Sequence, residues 1–216
     1  MYVAMIGLSI VLGLGAYALS LKKKSVPANI IFYSVILELV ISIYLALMTT
    51  YVLSGANGYG LTSSGGAAGM LIGVFIMSKI TPQYGKSFFD SCVLSLPLMY
   101  GIGKIGCAFA GCCGGIGYAG PLHIGSERGD VFPIQALEAI VFLSIYAISL
   151  FLYLKDRFNS LHAAIAYSFA KILLDFLREA HETKLITANQ IICLGIVLAL
   201  LLVSGFEKRR AFRNEQ

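Results

Sequence analysis

The chain has 216 residues, of which 58% are hydrophobic and 12% charged, with 23 Gly, no Trp and a formal net charge of +5 from 16 Lys+Arg against 11 Asp+Glu. A soluble domain carries about a quarter of its residues as charged side chains, so half that density excludes soluble enzymes, disordered tails and nucleic-acid modules. The length fits one transmembrane domain, residues 1–216, and five cysteines make neither a secreted disulfide framework nor spaced zinc pairs.

A helix needs about 20 predominantly apolar residues to cross the hydrocarbon core of a bilayer. Seven stretches qualify: Tyr2 to Leu21, Ala28 to Leu53, Gly65 to Ile80, Ser87 to Ile105, Gln135 to Leu154, Leu161 to Leu177 and Ala188 to Phe206. The third and sixth are short and carry Gly or ionisable residues. The prediction is an all-α polytopic integral membrane protein of seven transmembrane helices. Lys22, Lys23, Lys24, Lys79, Lys86, Lys155, Arg157, Lys208, Arg209, Arg210 and Arg213 then fall on one side. Lys104, Arg128, Lys171, Arg178 and Lys184 fall on the other side or within spans. The positive-inside rule gives N-terminus out and C-terminus in. The first basic residues follow the first span rather than precede it, so that span is expected to be retained rather than cleaved. The longest polar connection, Gly106 to Pro133, and a shorter one, Arg178 to Thr187, face outward.

A charge at the centre of a membrane helix costs about 3 kcal/mol on insertion scales, so each needs a partner, a cavity or a ligand. On the sixth span Lys171, Asp175 and Arg178 share one helical face. Gln135 and Glu138 share a face of the fifth. Asp90, Pro97 and Lys104 align roughly on the fourth. Expected ion pairs are Lys171 with Asp175, Asp175 with Arg178, and Lys104 with Glu138, and the three faces together suggest a polar cavity among the third to sixth helices. Glu38, isolated in the second span, is expected to be a structural hydrogen-bonding residue.

Small residues from Thr62 to Gly69 open the third span and suit either close helix packing or an anion at the helix N-terminus. Seven glycines between Gly101 and Gly117 disfavour continuous helix and suggest backbone lining a cavity. Cys107, Cys112 and Cys113 admit a thiol-disulfide or metal-binding reading, with small-residue packing as the plain alternative. Cys92 and Cys193 sit in apolar spans and are expected in the core.

The run from Pro97 to Gly114, with Gly103-Lys104-Ile105-Gly106-Cys107 and Gly111-Cys112-Cys113-Gly114, resembles the signature of the bacterial prolipoprotein diacylglyceryl transferases. Ser64-Gly65-Gly66 with Gly69 looks like that family's His-Gly-Gly segment, and Asp90 stands at the expected spacing before the basic residue. Phe132-Pro133-Ile134-Gln135-Ala136-Leu137-Glu138 looks like its His-Pro-x-Gln-x-x-Glu segment, and Lys171 to Glu179 like its Arg-x-x-x-Glu-Phe-x-Arg-Glu segment. Ala188-Asn189-Gln190 sits where its last helix begins, and Tyr2 falls near a tyrosine of its first. Three departures concern chemistry: Ser64 stands in place of histidine, and Lys104 and Lys171 in place of arginines. Lysine is a point charge where arginine is a fork, and serine cannot replace the acid–base role of histidine.

The resemblance implies a plasma-membrane transferase of bacterial lipoprotein biosynthesis, acting without a cofactor or resident metal. It would move the diacylglyceryl group of phosphatidylglycerol to the acceptor cysteine of a secreted precursor peptide. It implies Lys104, Lys171, Arg178 and Glu138 as catalytic residues, and Tyr2, Ser64, Gly65, Gly66, Gly103, Gln135 and Asp175 as substrate-binding. The expected partners are an anionic phospholipid and the precursor, with no nucleic acid and a monomeric chain. His123 and His181 are candidate bases by location, while His162 falls near the inner face. Two other readings stand beside this one: a divergent member with another acceptor or lipid binding alone, and a membrane thiol-redox protein using Cys107, Cys112 and Cys113.

Overall fold

The computed structural model describes residues 2–58, 60–126 and 129–214. Arg128, counted above among the outer charges, lies outside the described residues. Without water in a bilayer, the backbone must satisfy itself within each crossing segment, and helix is the local solution. The described chain forms α1 (Tyr2–Lys23), α2 (Ala28–Leu53), α3 (Ser63–Ile80), α4 (Gly85–Ala110), α5 (Ile134–Leu154), α6 (Ser160–Asp175) and α7 (Ala188–Asn214). The helices α1 to α5 are long and apolar enough to cross a membrane. At 16 residues, α6 is shorter than a standard span. Large apolar side chains such as Val3, Val11, Phe32, Val40, Ile140 and Phe169 face outward, as a lipid-facing surface requires.

Helix α4 is the central element, packed on α1, α3, α5 and α6. Of the seven glycines expected to break the helix, Gly101, Gly103 and Gly106 do not, since α4 runs unbroken through them and Pro97, whereas the helix does end at Gly111 and Gly114, Gly115 and Gly117 follow in non-helical backbone. The glycines within α4 admit neighbouring helices instead. A Cβ at Gly101 would lie 2.8 Å from Leu143 of α5, and one at Gly106 equally close to Met5 of α1. The same physics joins α2 to α3 through Gly65, Gly69 and Gly73, spaced by four along one face. A Cβ at Gly69 would come within 2.6 Å of the Ser42 Cα. Of the two uses considered for these small residues, Gly65 and Gly69 serve close packing.

Glu38 is fully buried against Gly73. Among the described residues neither of its carboxylate oxygens has a hydrogen-bond partner, so the hydrogen-bonding role expected of it is not met. Cys92 and Cys193 are buried and free, as their apolar surroundings suggested.

The helix ends sort into two groups. At one end, Lys23 donates to the Tyr153 and Leu154 carbonyls and Lys24 pairs with Asp156 at 2.9 Å, tying the ends of α1 and α5 together. Asp90 lies at this end, lining a cavity of about 180 Å³ with Lys24, Lys86 and Asp156. It therefore stands apart from Lys104. At the opposite end the α4–α5 connection adds a feature the helical reading did not contain, a hairpin of β1 (Ile124–Ser126) and β2 (Gly129–Val131). Bridges from Gly117 to Val131 and from Gly115 to Arg178 bind this connection to the segment after α6. The Ile116 and Glu179 N–H groups complete the seam by donating to the Leu177 and Gly114 carbonyls.

Candidate functional site

Beneath that seam, residues of α4 and α6, together with Arg178, which lies past the end of α6 in extended backbone and not on a helical face as expected, converge on one carboxylate of α5. Glu138 is fully buried on the first turns of α5. Its Oε1 accepts from the Tyr100 hydroxyl at 2.7 Å, from Lys171 Nζ at 3.1 Å and from Arg178 Nη2 at 2.8 Å. Its Oε2 meets Lys104 Nζ at 3.0 Å and Arg178 Nη2 at 2.7 Å. The Lys171 ammonium also donates to the Tyr100 hydroxyl. Both lysines lie over the Tyr100 ring, at 5.2 Å and 4.6 Å from its centroid. Tyr100 is thus a hub of the cluster that sequence reasoning left without a role. The signal was present, since Tyr100 and Lys104 sit at i and i+4 on one face of α4.

The pairing differs in part from the expected one. Lys104 with Glu138 and Arg178 with Asp175 (3.4 Å) are both present, whereas Lys171 turns to Glu138 on the neighbouring helix rather than to Asp175. Three cations and two carboxylates leave this buried cluster with an excess of one positive charge. Such an excess is costly in low dielectric and favours an anion nearby.

Asp175 extends the cluster toward α7. Its Oδ2 accepts from the Thr187 hydroxyl and lies 3.6 Å from His181 Nε2. Thr187 and Gln190 cap α7 reciprocally, the Thr187 N–H donating to Gln190 Oε1 at 3.1 Å and the Gln190 N–H to Thr187 Oγ1 at 3.3 Å. This is a capping box, so the start of α7 is anchored to the charged cluster. His181 stacks on Phe176 at 4.8 Å. Ser64, buried at the first turn of α3, donates to Asn189 Oδ1 at 3.0 Å and so reaches the same corner.

The other predicted residues distribute as follows. Gln135 is buried and donates to the Cys112 carbonyl at 2.7 Å, fixing the loop after α4. Gly66 approaches Ala46 of α2, and Gly103 faces Ile6 and Ser9 of α1, away from Glu138. Tyr2 is partly exposed at the N-terminal end of α1, where the Gly106 backbone approaches its carbonyl. His123 pairs with Asp130 at 3.6 Å within the hairpin connection, and the His162 backbone N–H is capped by Asn159 at the far end of α6.

The expected cavity among the third to sixth helices is closed at Lys104 and Lys171, both buried. Open space lies above them, a cavity of about 360 Å³ whose lining includes Cys113, Gly114, Arg178, Glu179, Glu182 and Thr183. Arg178 is the cation common to the cluster and the cavity. The pKa of the Cys113 thiol is held down to about 5, first by a hydrogen bond with Cys107 and further by the Lys104 and Arg178 charges, while desolvation pushes that of Cys112 up. Cys113 should therefore be alkylated by iodoacetamide at pH 6 nearly as fast as at pH 8, with Cys112 remaining slow. Peptide mapping would measure this, and a Cys113 rate that still climbs between pH 8 and 9 would contradict it.

With that geometry in place, comparison with known proteins gives a consistent picture. The family model described as Prolipoprotein diacylglyceryl transferase matches residues 1–204. The chain is 29% identical over 209 residues to the phosphatidylglycerol–prolipoprotein diacylglyceryl transferase of Dehalococcoides mccartyi strain ATCC BAA-2266, covering 88% of this chain and 76% of that protein. It is 33% identical over 138 residues to the protein of the same name from strain CBDB1, covering 56% and 53%. It is 26% identical over 170 residues to phosphatidylglycerol–prolipoprotein diacylglyceryl transferase 2 of Clostridium perfringens strain 13, covering 70% and 64%. The match thus spans about three quarters of the first relative and only about half of the second. A match from the first residue of α1 well into α7 is decisive for kinship: the chain belongs to the prolipoprotein diacylglyceryl transferase family.

Proposed function

We propose that the chain transfers the diacylglyceryl group of phosphatidylglycerol to the cysteine thiol of a secreted precursor peptide. The observation that carries this reading is the convergence of Lys104, Lys171 and Arg178 on the single carboxylate Glu138, with Arg178 also lining the cavity above them. In the reaction a thiolate sulfur attacks the glycerol carbon that bears the phosphate oxygen. The new S–C bond forms as the C–O bond breaks, and glycerol phosphate departs with the electron pair. Cations fixed where that negative charge grows stabilise the transition state. Arg178, exposed to the cavity, is the group that meets the phosphate. Lys104 and Lys171 supply field from behind it, and Glu138 and Tyr100 hold all three in register. Gln135 positions the loop that floors the cavity.

A thiol must also lose its proton, and Ser64 cannot accept it. His181, whose Nε2 lies 3.6 Å from Asp175 and is buried without a hydrogen-bond partner among the described residues, is the base in this reading. Purified protein with labelled phosphatidylglycerol and a peptide bearing the acceptor cysteine should release glycerol phosphate and raise the peptide mass by one diacylglyceryl group. The Lys104→Gln, Arg178→Gln double variant should lose at least about 10³-fold, as removal of such donors does elsewhere. Retention of phosphatidylglycerol in native mass spectrometry should fall in parallel. Turnover and lipid retention at wild-type level in a folded double variant would mean that the charges are structural.

Seven crossings, with the N-terminus and this site on the outer side of a bacterial plasma membrane and the chain acting as a monomer, complete the proposal. The lysine-rich end of α1 and α5 supports that orientation through the positive-inside rule. A cysteine at Ser25, in the turn after α1, should resist a membrane-impermeant thiol reagent added to intact cells. Labelling there from outside would reverse the topology.

A further inference from the structure

The sulfur trio at the end of α4 is not used by the transfer chemistry, yet its backbone is specially arranged. Cys107 is buried on the last turns of α4, Cys112 is half-buried and Cys113 exposed, and all three thiols are free. Their sulfur atoms lie within 4.8 Å of one another. Residues adjacent in an extended chain point to opposite sides, so bringing Cys112 and Cys113 together with Cys107 needs a departure from extended backbone. Gly111 caps the helix in the left-handed region at φ +63°, and Cys113 follows with φ +60°. For a non-glycine residue that conformation is strained. Three hydrogen bonds hold it: Cys112 N–H to the Cys107 carbonyl at 3.3 Å, Gln135 to the Cys112 carbonyl at 2.7 Å, and Glu179 N–H to the Gly114 carbonyl at 3.2 Å.

We propose that Cys107, Cys112 and Cys113 form a three-thiolate site for one soft, thiophilic metal ion. Trigonal sulfur coordination with bonds of about 2.3 Å requires sulfur atoms roughly 4 Å apart, so the trio closes on an ion by a shift of about an ångström or less. Soft thiolate ligands select copper(I) and zinc(II) among the common ions. Three sulfurs complete the coordination of copper(I), while zinc(II) would keep a fourth position for water from the cavity that Cys113 lines. Arg178 lines the same cavity and offsets the negative charge of the thiolates. A disulfide is the weaker reading, since neighbouring cysteines make a strained pair and any single bridge leaves one of the three sulfurs unused. Binding deprotonates the thiols and releases their protons to solvent, and it ties the end of α4 to the floor of the cavity.

The test uses the full-length protein in detergent, reduced and handled anaerobically, and titrated separately with copper(I) against a chromogenic chelator and with cadmium(II), a spectroscopic stand-in for zinc(II). The wild type should take up one equivalent of either ion, with a sulfur-to-metal charge-transfer band in the ultraviolet. Cys113→Ser and Cys112→Ser, both at the surface loop, should each weaken uptake by at least about 10²-fold, and Cys193→Ser should leave it unchanged. Equal uptake by the wild type and by the Cys112→Ser, Cys113→Ser double variant would overturn the site. So would a disulfide within the trio in protein whose thiols were blocked at lysis, combined with no uptake after reduction. Because the readout is metal and not lipid turnover, failure here leaves the transferase proposal standing, and failure of the transferase assay leaves this one.

Discussion

Replacing Glu138 by Gln should destabilise the protein by about 3–5 kcal/mol, the usual consequence of removing one partner from a buried charge network. The cause is specific. The substituted side chain would present a neutral amide to Lys104, Lys171 and Arg178, which now share one fully buried carboxylate. Three cations packed around Tyr100 would then repel one another with only Asp175 to compensate. Thermal unfolding in detergent measures the loss, and transferase turnover should fall with it. A second arm separates charge from packing: in a Lys171→Met background the Glu138→Gln change should cost markedly less, because one repelling cation is gone. Equal costs in both backgrounds would show that the carboxylate acts through shape and not through charge.

The places where the sequence is legible follow from that same physics. Seven apolar stretches correspond to seven helices with ends shifted by a few residues, because hydropathy over 20 residues averages out local detail. The i, i+3 and i, i+4 spacings correctly place Gln135 with Glu138 on α5 and Lys171 with Asp175 on α6, since helical geometry alone decides those faces, but α6 ends at Asp175 and Arg178 reaches the cluster from extended backbone bridged to Gly115. What the sequence leaves open is the partner across the interface. Lys171 lies one turn from Asp175 in sequence, yet its ammonium reaches Glu138, where the desolvated carboxylate and the Tyr100 ring outweigh the local pair. The glycines of α4 mislead for a related reason. Their helix-breaking tendency of about 1 kcal/mol each is overcome when a neighbouring helix packs directly on the bare backbone, as Met5 does at Gly106 and Leu143 at Gly101. Neither partner is visible in a single chain read linearly. The hairpin over the site escapes a sequence reading because strands of three residues are too short for an alternation to register.

Replacing His181 by Gln should reduce transferase turnover by about 10²–10⁴-fold, the range spanned by a positioned general base, while leaving folding and lipid retention intact. Ser64 occupies the position where the resemblance would place an imidazole, and a hydroxyl cannot take a proton from a thiol near neutral pH. Ser64 is hydrogen-bonded to Asn189. Two residues earlier Thr187 is bonded to Asp175, and Asp175 lies 3.6 Å from His181. In the proposed reading the imidazole beside Asp175 takes that role. Placing histidine on the α3 side in a Ser64→His, His181→Gln double variant should recover part of the lost turnover, whereas Ser64→His alone should change little. Turnover within about twofold of wild type in His181→Gln, against the range expected of a general base, would remove His181 from the mechanism and assign proton transfer to the precursor peptide or to water. Loss in His181→Gln that accompanies thermal destabilisation, with no recovery in the double variant, would reduce His181 to a brace for Asp175.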